Sequence, residues 1–351
     1  MPTLTHDALS AFAEKLLAAA GADEESSRTV AESLVGANLR GHDSHGVMRI
    51  PFYVQRVEEG RLNPCERLKV EKSAPTAFVC DGNWGFGQVL CRDLTSRLIT
   101  RAKETGIACG TLRRSAHCGR LGEYAEMAAK ENLVSIITAN THGAAQRVAP
   151  VGGKRPRLGT NPLCIGFPGG KDGPFVLDFG TSATAEGKVR VKKIAGEPIP
   201  LGWVIDPDGK PTTDPNQLYG DPPGTILPMG GDQAYKGFGL SFMVELLCGA
   251  LSGGQCALAD PPPPVGNCVF MLVIAPGQLA GIEHLGAEVS RLEEYVRGVP
   301  RIDGVSKITL PGDPERAVMA QRAESGIPLD EGNWQALVTL AERLGVELPA
   351  V

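Results

Sequence analysis

A chain of 351 residues can bury a large core and is long enough for two lobes. Its composition, 42% apolar and 21% charged with a formal net charge of −5, is that of a soluble globular protein. Mild acidity and the lack of a basic stripe interleaved with aromatics argue against a nucleic-acid surface. The longest apolar runs, LVSIITA from Leu133 and CVFMLVIA from Cys268, are too short to span a bilayer.

The N-terminus, MPTLTHDALSAFAEKLLAAAG, lacks the basic start and continuous apolar core of a secretory signal, which points to a cytoplasmic protein. Its apolar residues Leu9, Phe12, Ala13, Leu16, Leu17 and Ala20 fall on one helical face. A second helix is expected from about Glu24 to Arg40, with Val30, Leu34 and Val35 inward and Gly41 ending it. A third, VMRIPFYVQRVEEG, tolerates Pro51 only near its start. From about residue 74 short strand-like runs appear: AFVC, IACGTL, LVSIITA, LCIGF, FVLDF and CVFMLVIA. Helical patterns lie between them, notably GRLGEYAEMAAKEN and YKGFGLSFMVELLCGAL, and the alternation predicts an α/β layer structure. Asp208-Gly209 is a hairpin-type turn, so part of the sheet is expected to be antiparallel, and Pro261 to Pro264 reads as a rigid surface loop. The tail returns to helical patterning (WQALVTLAERLG) and is expected to pack on the N-terminal helices. The expected organisation is a helical part over 1–73, an α/β domain over 74–306 and a C-terminal segment over 307–351 that returns to the helical part. Nine cysteines without a C-x-x-C pair read as reduced, mostly buried thiols rather than a zinc ribbon.

The densest chemistry is RGHDSHG, residues 40–46. His42, Asp43 and His45 could ligate a metal, but near neighbours rarely converge on one ion, and no metal is expected. Ser44 and His45 could serve a hydrolase, yet no G-x-S-x-G elbow supports it. His45 with Arg49 four residues on would suit a carbonyl acid beside a carboxylate clamp. The plain alternative is a polar turn in which Asp43 and Ser44 cap the next helix. His117, in RRSAHCGRLGEYAEMAA, precedes a glycine-rich helix start of the kind that binds anions, or is a buried hydrogen-bonded histidine. LDFGTSATAEGK ends a strand at Asp178 and offers small hydroxyl residues, among them Thr181, Ser182 and Thr184, for close approach of a phosphate or ribose, or as a helix cap. Lys236 lies at another glycine-rich helix start, and PGDPE (311–315) is a loop into a helix. No G-x-G-x-x-G follows a strand: Gly85-Phe-Gly87 and Gly237-Phe-Gly239 both lack the third glycine, so a Rossmann pocket is not supported.

Seven motifs in order resemble the malate/L-lactate dehydrogenase family that is unrelated to the Rossmann-type enzymes. They are RGHDSHGVMRI, SAHCGRLGEYAEMAA, VAPVGGKRPRLGTNPL, LDFGTSATAEGK, GWVIDPDGKPTTDP, LPMGGDQAYKGFGLSFMVELLCGALSGG and PGDPE, spanning nearly the whole chain. The resemblance implies NAD or NADP bound on a non-Rossmann fold, a mixed sheet with flanking helices plus a helical domain from both chain ends. It implies His45 as proton donor to the substrate carbonyl, supported by Ser44 and Asp178, and Arg49 on the substrate carboxylate. His117 and Gly122 would lie at the substrate and nicotinamide side. Asp178, Gly180, Thr181, Ser182, Lys236, Gly312, Asp313, Pro314 and Glu315 would line the cofactor. Members are generally homodimers that act on 2-oxo acids or, as the nearest rival reading, on cyclic imine acids such as piperideine- or pyrroline-2-carboxylate. A Ser44/His45 hydrolase and a silent scaffold are the readings from other classes. Arg113, Arg114, Arg120, Lys188 and Arg190 are the candidates for a 2′-phosphate, and His142 and Arg147 carry no assigned role.

Overall fold

The computed structural model describes residues 2–350. Helix α1 (His6–Ala19) starts on Thr5, whose hydroxyl accepts the Ala8 N–H at 3.2 Å, and α2 (Glu24–Leu39) starts on Asp23, which accepts from Ser26 N at 2.8 Å. Gly41, at φ +81°, lets the chain leave α2. Two single-turn 3-10 segments, Asp43–His45 and Val47–Arg49, follow before α3 (Ile50–Glu58), which carries Pro51 in its first turn.

The central sheet is built from β1 (Lys69–Ala74), β2 (Ala77–Asp81), β3 (Ile107–Ser115), β4 (Val134–Asn140), β5 (Pro162–Phe167), β6 (Phe175–Gly180) and β7 (Asn267–Ile274). The helices in this part of the chain are α4 (Gly87–Thr105), α5 (Gly122–Lys130), α6 (Glu186–Ala195), α7 (Tyr235–Glu245) and α8 (Ile282–Arg297), of which α4, α5 and α7 pack on the sheet. The chain closes with α9 (Asp313–Ser325) and α10 (Glu331–Leu344). Strand order is β1-β2-β3-β7-β4-β5-β6. Among the described residues β2 and β3, joined across α4, form the one parallel pair of this sheet, and every other pairing is antiparallel. Strand–helix alternation suggested a layered α/β fold, and one forms. The antiparallel character comes from β7, which returns from far along the chain and inserts between β3 and β4. That insertion sets Ser115 against Asn267 and Cys268 against Asn140, so the ends of β3 and β4 share one edge with the start of β7.

Both chain ends build one apolar core. Leu9, Phe12, Leu16, Leu34 and Tyr53 pack with Trp334, Leu337 and Leu340 of α10, and the Phe12 and Trp334 rings lie 6.1 Å apart. Thr3–Leu4 also pairs antiparallel with Ile327–Pro328. The lobes are not separated at the expected positions, since β1 begins at Lys69 and Phe86, Val89 and Ala116 join the helical core. A small third cluster, Val148, Val189, Ile199, Val204, Leu218 and Ile226, surrounds a sheet in which Val204–Ile205 pairs with both Pro211–Thr212 and Thr225–Ile226. The Asp208-Gly209 turn closes its hairpin, with Gly209 at φ +90°.

Candidate functional site

The RGHDSHG turn has little regular structure of its own, and side chains from both chain ends hold it. Asn38, in the last turn of α2, donates from Nδ2 to Asp43 Oδ1 (2.7 Å) and accepts the Val47 N–H on Oδ1 (2.8 Å). A Cβ at Gly46 would stand 2.1 Å from that Asn38 oxygen, so no other residue fits there without displacing it. Arg322 of α9 grips Asp43 with two nitrogens, at 2.7 and 3.0 Å, and also donates to the Asn38 carbonyl. Asp43 is therefore spent on the scaffold. His42 Nε2 lies 3.3 Å from Glu315 Oε1, which ties the turn to the start of α9 a second time.

The clamp presents a compact group. Ser44 Oγ lies 2.9 Å from His45 Nδ1, and Arg49 donates from Nε to the Ser44 carbonyl at 2.7 Å. His117, beyond the end of β3, brings its ring centroid to 5.5 Å from that of His45. Its Nδ1 lies 2.7 Å from the Tyr53 hydroxyl, which accepts a 2.9 Å bond from Gln88 Nε2. Among the described residues Arg49 has no carboxylate partner, unlike Arg40, Arg92, Arg120 and Arg322 nearby. Burial, and then the Arg49 charge, depress the His45 imidazole to about 3, with smaller pushes from His42 and Arg120. His117 is held well below the ordinary histidine range by burial, then by Arg49 and His45. Two neutral imidazoles thus sit beside an unmatched cation.

A second group adjoins the first. Gly122, at the start of α5, donates its N–H to Asp178 Oδ2 at 2.7 Å. Burial raises the Asp178 carboxyl above its usual range, against the pull of Gly122, Arg120 and His42. No hydrogen bond joins Asp178 to Ser44 or His45, so the expected three-residue relay consists here of the Ser44–His45 pair, with Asp178 turned to the α5 terminus. Arg120, only 5% exposed, pairs with Glu126 at 2.7 Å and lines two adjoining cavities of about 330 and 230 Å³. The smaller is also lined by Gly312, Glu315 and Arg316, and both share Arg40, Glu126 and Lys130.

The remaining expected site residues are placed differently. Thr181 donates its hydroxyl to the Asn161 carbonyl (3.0 Å) and Ser182 to that of Thr184 (2.8 Å), so both hydroxyls serve the local backbone. Gly180 runs beside Thr160, where a Cβ would stand 3.2 Å from its carbonyl oxygen. Asp313 is taken by Arg297 (2.7 Å) and Arg316 (2.7 Å), which hold its carboxyl far below the usual range and fasten α8 to α9, while Pro314 sits in the first turn of α9. Lys236 is exposed beside the Tyr235 ring at the start of α7. Of the five 2′-phosphate candidates Arg120 lines these two cavities. Arg113 and Arg114 bind Asp81, Arg190 binds Glu186, and Lys188 is exposed on α6. Sequence reasoning missed Asn38, Tyr53, Gln88 and Arg322. Tyr53 was within reach of it, because four residues from Arg49 is one helical turn.

With this geometry established, the comparisons with known proteins are decisive. The sequence profile of the malate/L-lactate dehydrogenase family matches residues 4–338. The chain belongs to that family. Hydroxycarboxylate dehydrogenase B of Escherichia coli is 39% identical over 342 residues, covering 96% of this chain and 93% of that protein. The structure of malate dehydrogenase from Pyrococcus horikoshii superposes with a TM-score of 0.89 at 32% identity, covering 99% of this chain and 96% of that one. Delta1-piperideine-2-carboxylate reductase from Pseudomonas syringae superposes at 0.84 and 30% identity, covering 97% and 100%.

The neutral histidines make a prediction about stability. Unfolded histidine titrates near 6.5, so below that pH the unfolded chain binds protons that folded His45 and His117 refuse, and stability falls as pH drops. The loss should reach up to about 1.4 kcal/mol per pH unit for each histidine that stays neutral. Urea midpoints measured from pH 7 down to pH 5 should decline, and in a His45→Gln, His117→Gln variant the decline should flatten.

Proposed function

We propose that the protein is a nicotinamide-dependent oxidoreductase that interconverts a 2-oxo and a 2-hydroxy carboxylic acid. The observation that carries this reading is the unpaired Arg49 guanidinium beside neutral His45. An unmatched, partly exposed cation suits a carboxylate, and its planar edge suits two-pronged binding. A substrate carboxylate on Arg49 would cancel the second of the influences that keep His45 deprotonated, after burial, and so favour its protonated form. His45, held by Ser44, could then carry the proton that the carbonyl oxygen takes up on reduction, an acid role typically worth about 10²–10⁴-fold in rate. In the reverse direction the same nitrogen takes the proton from the hydroxyl.

The cofactor, NAD or NADP, would supply or accept the hydride at C2. The chain's residues fit such a group: the larger cavity, about 330 Å³, falls in the size range of small-molecule sites, and the two together carry cations, Lys130 and Arg316 among them, interleaved with acids such as Glu123 and Glu126. Gly312, which lines the smaller cavity, is closely packed by the chain itself: a Cβ there would stand 2.7 Å from Arg316 Nη1 and 3.1 Å from the Pro174 carbonyl oxygen. Glu315 lines the smaller cavity and bonds His42, three residues from His45, so the cofactor-sized space and the acid belong to one site. Gly122, Asp178 and Glu315 are assigned to this side, and Arg49, His45 and His117 to the substrate side. Likeness to the piperideine carboxylate reductase favours a second reading on the same residues, in which a cyclic imine acid replaces the 2-oxo acid.

Loss of reduced-nicotinamide absorbance, with NADH and NADPH in parallel across 2-oxo acids and cyclic imine acids, separates these readings. Silence across the panel together with no cofactor binding contradicts both. His45→Ala should lower turnover by more than about tenfold with cofactor binding retained. Arg49→Lys should chiefly raise the Michaelis constant for the acid, and an unchanged constant would place the clamp elsewhere.

The expected homodimer is assigned to α7. Between 235 and 251 the charged residues are Lys236 and Glu245, and Glu245 turns inward to Asn140 and Asn161 at 2.8 Å each. What remains outward is apolar: Tyr235 is 58% exposed, Phe242 49%, Met243 53% and Leu251 57%. A second copy of this face would cover it isologously. No helix is long and apolar enough to cross a membrane among the described residues, and all nine cysteines are free, which suits the cytoplasm. Light scattering should give twice the chain mass for the unaltered protein and the single-chain mass for Phe242→Glu. A monomeric unaltered protein would contradict the assignment.

A further inference from the structure

His117 has been given a place on the substrate side but no task, and the contacts behind it supply one. Nδ1 of His117 is 2.7 Å from the Tyr53 oxygen, which in turn is 2.9 Å from Gln88 Nε2. Tyr53 is 1% exposed and Gln88 0%, so bulk water does not compete for these bonds. Gly87 makes the approach possible, because a Cβ there would stand 2.5 Å from the His117 carbonyl oxygen.

The Gln88 orientation sets the proton count in this chain. A phenol has a single proton, and its oxygen already receives a Gln88 N–H, so the phenol proton goes to His117 Nδ1. A neutral imidazole that accepts at Nδ1 carries its own proton on Nε2. The orientation of the Gln88 amide decides this direction. As it stands, its Oε1 is buried without a partner. The reversed amide would instead bury the NH₂, with two donors, and an unpaired carbonyl is the better tolerated of the two. Tyr53 takes the Nδ1 of His117, and Nε2 makes no hydrogen bond among the described residues, so it is the ring nitrogen left for a ligand.

We propose that Gln88 and Tyr53 are positioning residues that lock His117 in the Nε2–H tautomer, so that it offers the substrate a fixed hydrogen-bond donor while His45 moves the proton. The proposal rests on the oxidoreductase reading for the identity of the acceptor, an oxygen or carboxylate of the 2-oxo acid. With ring centroids 5.5 Å apart, both imidazoles can reach one small ligand. A donor fixed in advance needs no reorientation as charge builds on the substrate oxygen. The two histidines thus divide the work: one exchanges its proton with the substrate and the other keeps it.

Two-bond ¹H–¹⁵N correlation spectra of the full-length protein labelled at histidine report which ring nitrogen carries the proton. The His117 signal is identified by its loss in His117→Gln. The unaltered protein should show the Nε2–H form alone, and Tyr53→Phe and Gln88→Leu should each show a mixture of tautomers. Tyr53→Phe should lower kcat/KM by roughly tenfold, the worth of one hydrogen bond. That loss should largely disappear when the substitution is made in His117→Gln, because nothing is left to orient. An Nδ1–H form in the unaltered protein would overturn the proposal. So would a Tyr53→Phe spectrum still in one tautomer, or an equal kinetic loss in both backgrounds, which is the mark of a merely structural role. Failure of the unaltered protein to turn over any acid contradicts the oxidoreductase reading instead, and the lock is still read from the spectra.

Discussion

Holding one histidine steady in a turn that makes few backbone bonds of its own is the constraint on which this molecule depends. Asn38 and Arg322 meet it together. One comes from the second helix and the other from the last third of the chain, and both converge on Asp43. The arrangement explains why the N- and C-terminal segments share one core: without α9 packed against α2, Asp43 would be a carboxylate with a single amide for company. It explains Gly46 as well, since the Asn38 side chain occupies the volume any Cβ would need. Cooperative packing of helices from both ends therefore reaches the chemistry directly, through a bidentate ion pair rather than through a distant coupling.

Charge is distributed unevenly around that turn. Arg40, Arg92, Arg120 and Arg322 each have a carboxylate, so their fields are largely cancelled at short range. Arg49 does not, and its field falls on His45 and His117 in surroundings that water screens poorly. The arrangement is mismatched: a cation without an anion beside two imidazoles held neutral. An anionic ligand that matches Arg49 favours the protonated form of His45, the proton a carbonyl oxygen needs on reduction. Asp178, Arg120 and Glu315, by contrast, already have partners in the Gly122 N–H, Glu126 and His42, and Arg120 and Glu315 line the smaller cavity.

Much of the scaffold was legible in the sequence, and the reasons for the gaps are physical. The terminal helices announced themselves by apolar spacing, the second also by Gly41 at its end, and six strands by short apolar runs. β1 went unseen because KVEKSA is an exposed edge strand with almost nothing apolar to bury. α4 was obscured because its buried Leu90, Cys91, Leu94 and Leu98 are interleaved with charges, and its glycine-rich start drew the eye as a failed nucleotide motif. The insertion of β7 between β3 and β4 is a matter of tertiary order that no local pattern encodes. At the site, residue types indicated the chemistry of His45 and Arg49. What each acid pairs with was hidden, since Asp43 and Arg322 lie 279 positions apart. Asp313 misled for a related reason: Arg316 lies one turn along the same helix, but Arg297 becomes its partner only once α8 folds back on α9.

The central claim is that this clamped turn presents an anion site whose filling lets His45 take up a proton. It is tested most directly by calorimetric titration with oxalate, a non-reducible analogue of a 2-oxo acid, near pH 6 in buffers of different ionisation enthalpy. The comparison counts the protons exchanged on binding. The account predicts uptake of up to about one proton per site, abolished in His45→Ala while oxalate still binds. Binding without proton uptake, or uptake that persists in His45→Ala, would contradict it.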